Sequence, residues 1–171
     1  SLAKDGAEFA VFPECCVSGY PLKDLASIKK FIESAQAALQ SLSGKLPIPA
    51  IVGCPRLEHG SAGVRNSAYL IDGGSIKKIC DKHLLPNYGA LNDARIFDPG
   101  SNFGLVKIRG KSIGVTICED IWTIPTIPTA GRYEYFPRPL EHFANLKKSD
   151  PSALDILVNI SASVFSSGND T

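Results

Sequence analysis

Short apolar strand-like runs mixed with amphipathic helical stretches, and joined in places by tight hairpins, predict an α/β fold for this chain of 171 residues. Three observations carry that prediction. Leu25, Ile28, Ile32, Ala35, Leu39 and Leu42 recur at steps of three and four, which is one face of a helix. Several other runs are apolar for four to seven residues without a helical period, the mark of buried strands. "DGG" and "RGK" each separate two such runs, as hairpin turns do.

The elements follow in chain order. Phe9 to Phe12 reads as a short buried strand that Pro13 ends, with Glu14 at its carboxyl end. Lys23 to Leu42 is the clearest helix, and Gly44 is placed to close it. Pro49 to Pro55 is a buried strand bounded by prolines. Ser67 to Ile71 and Ser75 to Cys80 flank Asp72–Gly74 as one hairpin; Phe103 to Ile108 and Ser112 to Ile117 flank Arg109–Lys111 as a second. Pro139 to Lys148 is a short helix with Leu140 and Phe143 inward, and Leu154 to Ile160 is a last buried strand. Thr123 to Arg138, rich in proline, threonine and aromatics, is not regular structure; a lid, an interface arm and lineage-specific decoration all suit it. No repeat or linker divides the chain, so residues 1–171 form one domain.

Composition narrows the function classes. A hydrophobic content of 44% supports a real core, and 18 basic against 17 acidic residues leave +1. No basic block interleaved with aromatics occurs, which argues against nucleic acid, and no apolar run has membrane-spanning length. The five cysteines lack metal-ligand spacing and do not form a disulfide framework, so no metal is expected and the compartment reads as cytoplasmic. Cys15, Cys16, Cys54 and Cys80 read as packing residues.

Three strand-like runs end in residues with chemistry. Glu14 follows the first, Lys82 follows Ile76–Cys80, and Cys118 follows the apolar run in "IGVTICEDIW". Strand ends in an α/β sheet converge on one crevice, where a carboxylate, an ammonium and a thiol supply a base, an oxyanion stabiliser and a nucleophile. Taken singly, each has an ordinary explanation: a turn cap, a solvated flank and a small core residue.

"FPECCVSGYP", "DKHLLPNYG" and "IGVTICEDIW", in this order, resemble the Glu, Lys and Cys motifs of the nitrilase (carbon–nitrogen hydrolase) superfamily. With "NISAS" (Asn159 to Ser163), the chain is similar to the glutaminase domains of glutamine-dependent NAD synthetases, from about Lys4 to Ser163. The resemblance implies an α-β-β-α four-layer sandwich, catalysis by Glu14, Lys82 and Cys118, and glutamine binding by Tyr88, Glu119 and Ser163. It also implies a synthetase domain that accepts ammonia and uses ATP and Mg to amidate deamido-NAD; the glutaminase step itself needs no cofactor, and a core face left open by missing strands is expected to make the chain a homo-oligomer. On the same comparison the sandwich is incomplete at both ends: "SLAKDGAEF" reads as a helix tail, and members of the family continue beyond "NISAS". Three departures stand out. Leu91-Asn92-Asp93 replaces the usual "FDE", Val164 replaces a proline, and Asn169 stands where a basic residue commonly holds the substrate carboxylate. A stand-alone amidase and a non-catalytic assembly module are the alternative readings.

Overall fold

The computed structural model describes residues 3–58, 63–88, 91–122 and 138–163. The chain runs through strand β1 (Ala10–Val11), helix α1 (Lys29–Ser41), strands β2 (Ala50–Leu57), β3 (Val64–Asp72) and β4 (Ser75–Asp81), and the short strands β5 (Asn87–Tyr88) and β6 (Leu91–Asn92). It continues through helix α2 (Asp93–Ile96), strands β7 (Gly104–Ile108) and β8 (Lys111–Ile117), helix α3 (Pro139–Ser149) and strand β9 (Ile156–Ile160).

Two sheets form the centre. One has the order β1-β2-β3-β4, with β1 parallel to β2 and the remaining pairs antiparallel. The other has the order β7-β8-β9, with β8 parallel to β9. The alternation of strand side chains decides which layer each residue serves. Ile51, Ala68, Leu70 and Cys80 of the first sheet pack against Val106, Ile113, Val115, Ile117 and Ile160 of the second. Ala50, Val52, Cys54, Tyr69 and Ile71 point the other way and receive Ala35 and Leu39 of α1. Gly114 lies under Phe143 of α3, where a Cβ would meet the ring at 2.9 Å. Helix, sheet, sheet and helix therefore stack in four layers. Strands β2 and β8 are covered on both faces, which is why their sequences are almost continuously apolar.

Both hairpins close through two residues with positive φ, the geometry that suits the right-handed twist of paired strands. They are Gly73 and Gly74 (φ 54° and 85°), and Arg109 and Gly110 (φ 51° and 80°). The strands thus run one residue further into "DGG" and "RGK" than expected, with Asp72 facing Ser75 and Ile108 facing Lys111.

Three expectations are corrected. The stretch Lys23–Leu42 is not one helix: a 3-10 turn over Lys23–Ser27 ends at Ile28, which is extended, before α1 begins. Ala26 and Ile32 join Leu22, Leu85 and Phe97 in one cluster, whereas Ala35 and Leu39 further along α1 lie on β2, and Leu25 and Ile28 are exposed. The first strand is not buried, because among the described residues β1 pairs on one side only and leaves Val11 and Phe12 about two-fifths exposed. The last strand begins at Ile156 and, among the described residues, likewise pairs on one side only, with Ile156 and Leu157 exposed. Leu140 is half-buried, whereas Phe143 is buried as expected.

A charge cluster locks the ends of β2, β3 and β4. Asp81 accepts from Arg56 Nε at 3.1 Å and Nη2 at 2.8 Å, from Lys78 Nζ at 2.8 Å and from Ser67 Oγ at 2.5 Å. Burial alone would raise the Asp81 carboxyl, but these donors hold it down from 3.8 to about 2. A depressed native pKa means that the carboxylate stabilises the fold above its ordinary pKa and loses that effect as pH falls through the native value. We therefore expect the stability gap between the wild type and Asp81→Asn to shrink by roughly 2 kcal/mol between about pH 4 and pH 2, as read by denaturant unfolding.

Candidate active site

Glycines let two chain segments seat directly on the sheets. A Cβ on Gly53 of β2 would lie 2.5 Å from Pro13 O and Cys15 N and 2.8 Å from Glu14 Cα, so only glycine admits the turn that carries Glu14. A Cβ on Gly100 would lie 2.3 Å from Asp81 O, and Gly100 N donates to Lys82 O at 2.7 Å. Lys82 is thereby pinned immediately beyond β4.

Lys82 has no solvent exposure. Its ammonium donates to Glu14 Oε1 at 2.7 Å and to Asp93 Oδ2 at 2.6 Å. Burial would drive the Lys82 proton off, but Glu14 and Asp93 outweigh it and hold the ammonium protonated well above the ordinary lysine range. Asn66, fully buried on β3, donates Nδ2 to the same Glu14 oxygen at 2.7 Å. The backbone N–H of Ala162, just past β9, donates to Glu14 Oε2 at 3.1 Å. Tyr20 donates its hydroxyl to Asp93 Oδ1 at 3.1 Å and lays its ring 5.7 Å from Lys82 Nζ.

Cys118 opens a 3-10 turn directly after β8, with a positive φ of 51°. Its thiol is partly buried, and the charges of Lys82 and Glu14 and the dipole of the Ser161 hydroxyl act on it. Burial pushes the thiol up to about 11; Lys82 opposes the rise and Glu14 adds to it. The resting group is therefore a thiol, not a thiolate.

Glu14, Lys82 and Cys118 meet as expected. Glu119 is buried on the turn after Cys118. Ser163 is exposed, and its neighbour Ala162 makes the local bond, to Glu14. The side chain of Tyr88, most of the Thr123–Arg138 segment, Val164 and Asn169 lie outside the described residues. The departure at Leu91-Asn92-Asp93 keeps a carboxylate that reaches Lys82. Asn66, Tyr20 and Asp120 were not singled out in the sequence, where Asn66 stands between Arg65 and Ser67 without a local signal. Among the described residues no cluster of His, Cys, Asp or Glu suits a metal ion, and no helix is long and apolar enough to cross a membrane.

Burial also sorts the other cysteines. Cys15, Cys54 and Cys80 are buried, whereas Cys16 is exposed and is not a packing residue. Burial raises all four thiols, Cys54 to about 12. Limited alkylation with peptide mapping should label Cys118 and Cys16 and spare the other three; early labelling of Cys54 or Cys80 would contradict this packing.

The description of the carbon–nitrogen hydrolase family matches residues 1–129. A glutamine-dependent NAD(+) synthetase from Synechocystis is 34% identical over 170 residues, covering 95% of this chain and 29% of the relative. The structure of glutamine-dependent NAD+ synthetase from Acinetobacter baumannii aligns with TM-score 0.69 at 26% identity, over 97% of this chain and 28% of that one. One from Cytophaga hutchinsonii aligns with TM-score 0.72 at 20% identity, over 98% and 27%. The chain thus spans under a third of the length of these relatives.

Proposed function

The chain belongs to the carbon–nitrogen hydrolase family, and from that premise we propose that it hydrolyses the side-chain amide of glutamine through a thioester on Cys118. The observation that carries this reading is the meeting of a buried Glu14–Lys82 ion pair with the Cys118 thiol at the ends of strands from both sheets. The likeness to glutamine-dependent NAD synthetases supports glutamine as the amide.

The chemistry follows from the geometry. Cys118 Sγ attacks the amide carbon while its proton passes to Glu14, the carboxylate whose charge acts on the thiol. Coupling attack to transfer removes the need for a preformed thiolate, which burial disfavours. The oxygen gains negative charge beside the Lys82 ammonium and the backbone N–H of Glu119. Glu14 returns the proton to the departing nitrogen, and ammonia leaves with the C–N bond broken. Water then gives a proton to Glu14 and attacks the thioester; the C–S bond breaks, Glu14 passes that proton to the sulfur, and glutamate leaves with the thiol and the carboxylate restored. Asp93 and Tyr20 keep Lys82 aimed at the oxygen throughout. Glu119 is the group proposed to take the substrate's α-ammonium, with Tyr88 and Ser163 lining the same pocket. The ammonia is proposed to pass to an ATP- and Mg-using synthetase domain that amidates deamido-NAD.

In the full protein, Cys118→Ala should lower glutamine-dependent NAD formation by roughly three orders of magnitude or more while sparing formation from an ammonium salt. Glu14→Gln should behave alike, since it loses the proton shuttle and keeps the shape. Both rates are to be measured on the same preparations. Glutamine-driven turnover surviving in Cys118→Ala would show that another group is the nucleophile.

A further inference from the structure

We infer that Asp120 is a positioning residue whose carboxylate clamps the backbone after Lys82 to the backbone before Cys118, setting the separation of ammonium and thiol. The inference rests on the roles proposed above for those two side chains. Asp120 Oδ1 accepts from His83 N at 3.0 Å and from Leu84 N at 2.9 Å. Its Oδ2 accepts from Ile117 N at 3.1 Å. The carboxylate is almost wholly buried, so these three N–H groups take the place of its hydration.

What the clamp joins matters more than how many bonds it makes. Lys82 follows β4 of the first sheet, and Cys118 follows β8 of the second. Between these sheets lie the side chains of Ile51, Leu70, Val115 and Ile117, whose contacts are non-directional and tolerate small slides. Glu14 also bridges the sheets, through Lys82 Nζ and Ala162 N, but it changes protonation during the proposed reaction. Asp120 takes no part in that proton transfer and can hold the two strand ends fixed through every step. His83 reinforces the arrangement: its ring is buried, stacks on Phe103 at 5.0 Å and holds Nδ1 4.0 Å from Asp120 Oδ2. A residue that only shaped the local turn would need the Ile117 bond alone.

Asparagine separates positioning from mere packing. It keeps the volume of Asp120 but offers one carbonyl oxygen, so its NH2 must face an N–H either at Ile117 or at His83 and Leu84. One side of the clamp opens in either orientation. We expect Asp120→Asn in the full protein to lower kcat for glutamine hydrolysis by about tenfold or more, with KM changed less than about threefold. Thr116→Val is the matched control. It loses hydroxyl bonds to Val158 O and Asn159 Oδ1 on the same strand without touching the clamp, and should keep kcat within about twofold. Should Asp120→Asn not fold, Asp120→Glu keeps the charge, shifts the clamp by one methylene and carries the same kcat expectation. Wild-type kcat in the folded Asp120 variant would overturn the proposal. So would a kcat loss that Thr116→Val reproduces at equal loss of thermal stability. Full hydrolysis in the Asp120 variant beside none in Cys118→Ala overturns the clamp alone; hydrolysis surviving Cys118→Ala overturns both readings.

Discussion

The buried ammonium of Lys82 is the constraint around which this molecule is arranged. A lone charge without solvent exposure would be prohibitively costly, and here two carboxylates compensate it at 2.7 Å and 2.6 Å. Removing either partner from such a pair commonly costs about 3–5 kcal/mol, because the remaining charge stays buried. The pair also fixes topology. Glu14 comes from the turn after β1, Lys82 from the end of β4 and Asp93 from the start of α2, so one cation draws three distant segments together. Two carboxylates against one ammonium leave excess negative charge, which Asn66 Nδ2, Ala162 N and the Tyr20 hydroxyl share. Gly53 and Gly100 serve the same end by letting the backbones on either side of the pair approach the sheets.

That arrangement also sets the chemistry of the thiol. Desolvation outweighs the attraction of Lys82, whose charge is already engaged by Glu14 and Asp93. An ammonium so fully paired does little to stabilise a resting thiolate and more for an oxyanion that arrives with substrate. The burden of activation therefore falls on Glu14, which meets the ammonium and two N–H donors and whose charge acts on the thiol.

Local patterns in the sequence proved legible wherever the physics is local. Gly73-Gly74 and Arg109-Gly110 announce their hairpins because positive φ is a property of the turn itself. The continuous apolar stretches of β2 and β8 report burial on two faces. The helical period from Leu25 to Leu42 ran unbroken through Ile28 because a break in backbone direction leaves side-chain spacing unchanged. Strands β1 and β9 read as buried because their apolar content does not tell what covers them. Cys15 and Cys16 are alike in sequence and opposite in exposure, and only the turn at Cys15, with φ 47°, separates them. Asn66 and Asp120 act across 52 and 37 residues of chain, a distance at which no spacing rule operates. Glu14, Lys82 and Cys118 were legible because each stands at a strand end, and strand ends converge in such a fold.

One observation bears most directly on the whole assembly of Glu14, Lys82 and Cys118: the covalent intermediate itself. Full protein mixed with glutamine, quenched in acid during turnover and digested, can be mapped by mass spectrometry for a γ-glutamyl group. Its presence on the Cys118 peptide, and its loss in Lys82→Met, is the expected result. Ammonia release without that adduct, or the adduct on any other residue, would contradict the central claim.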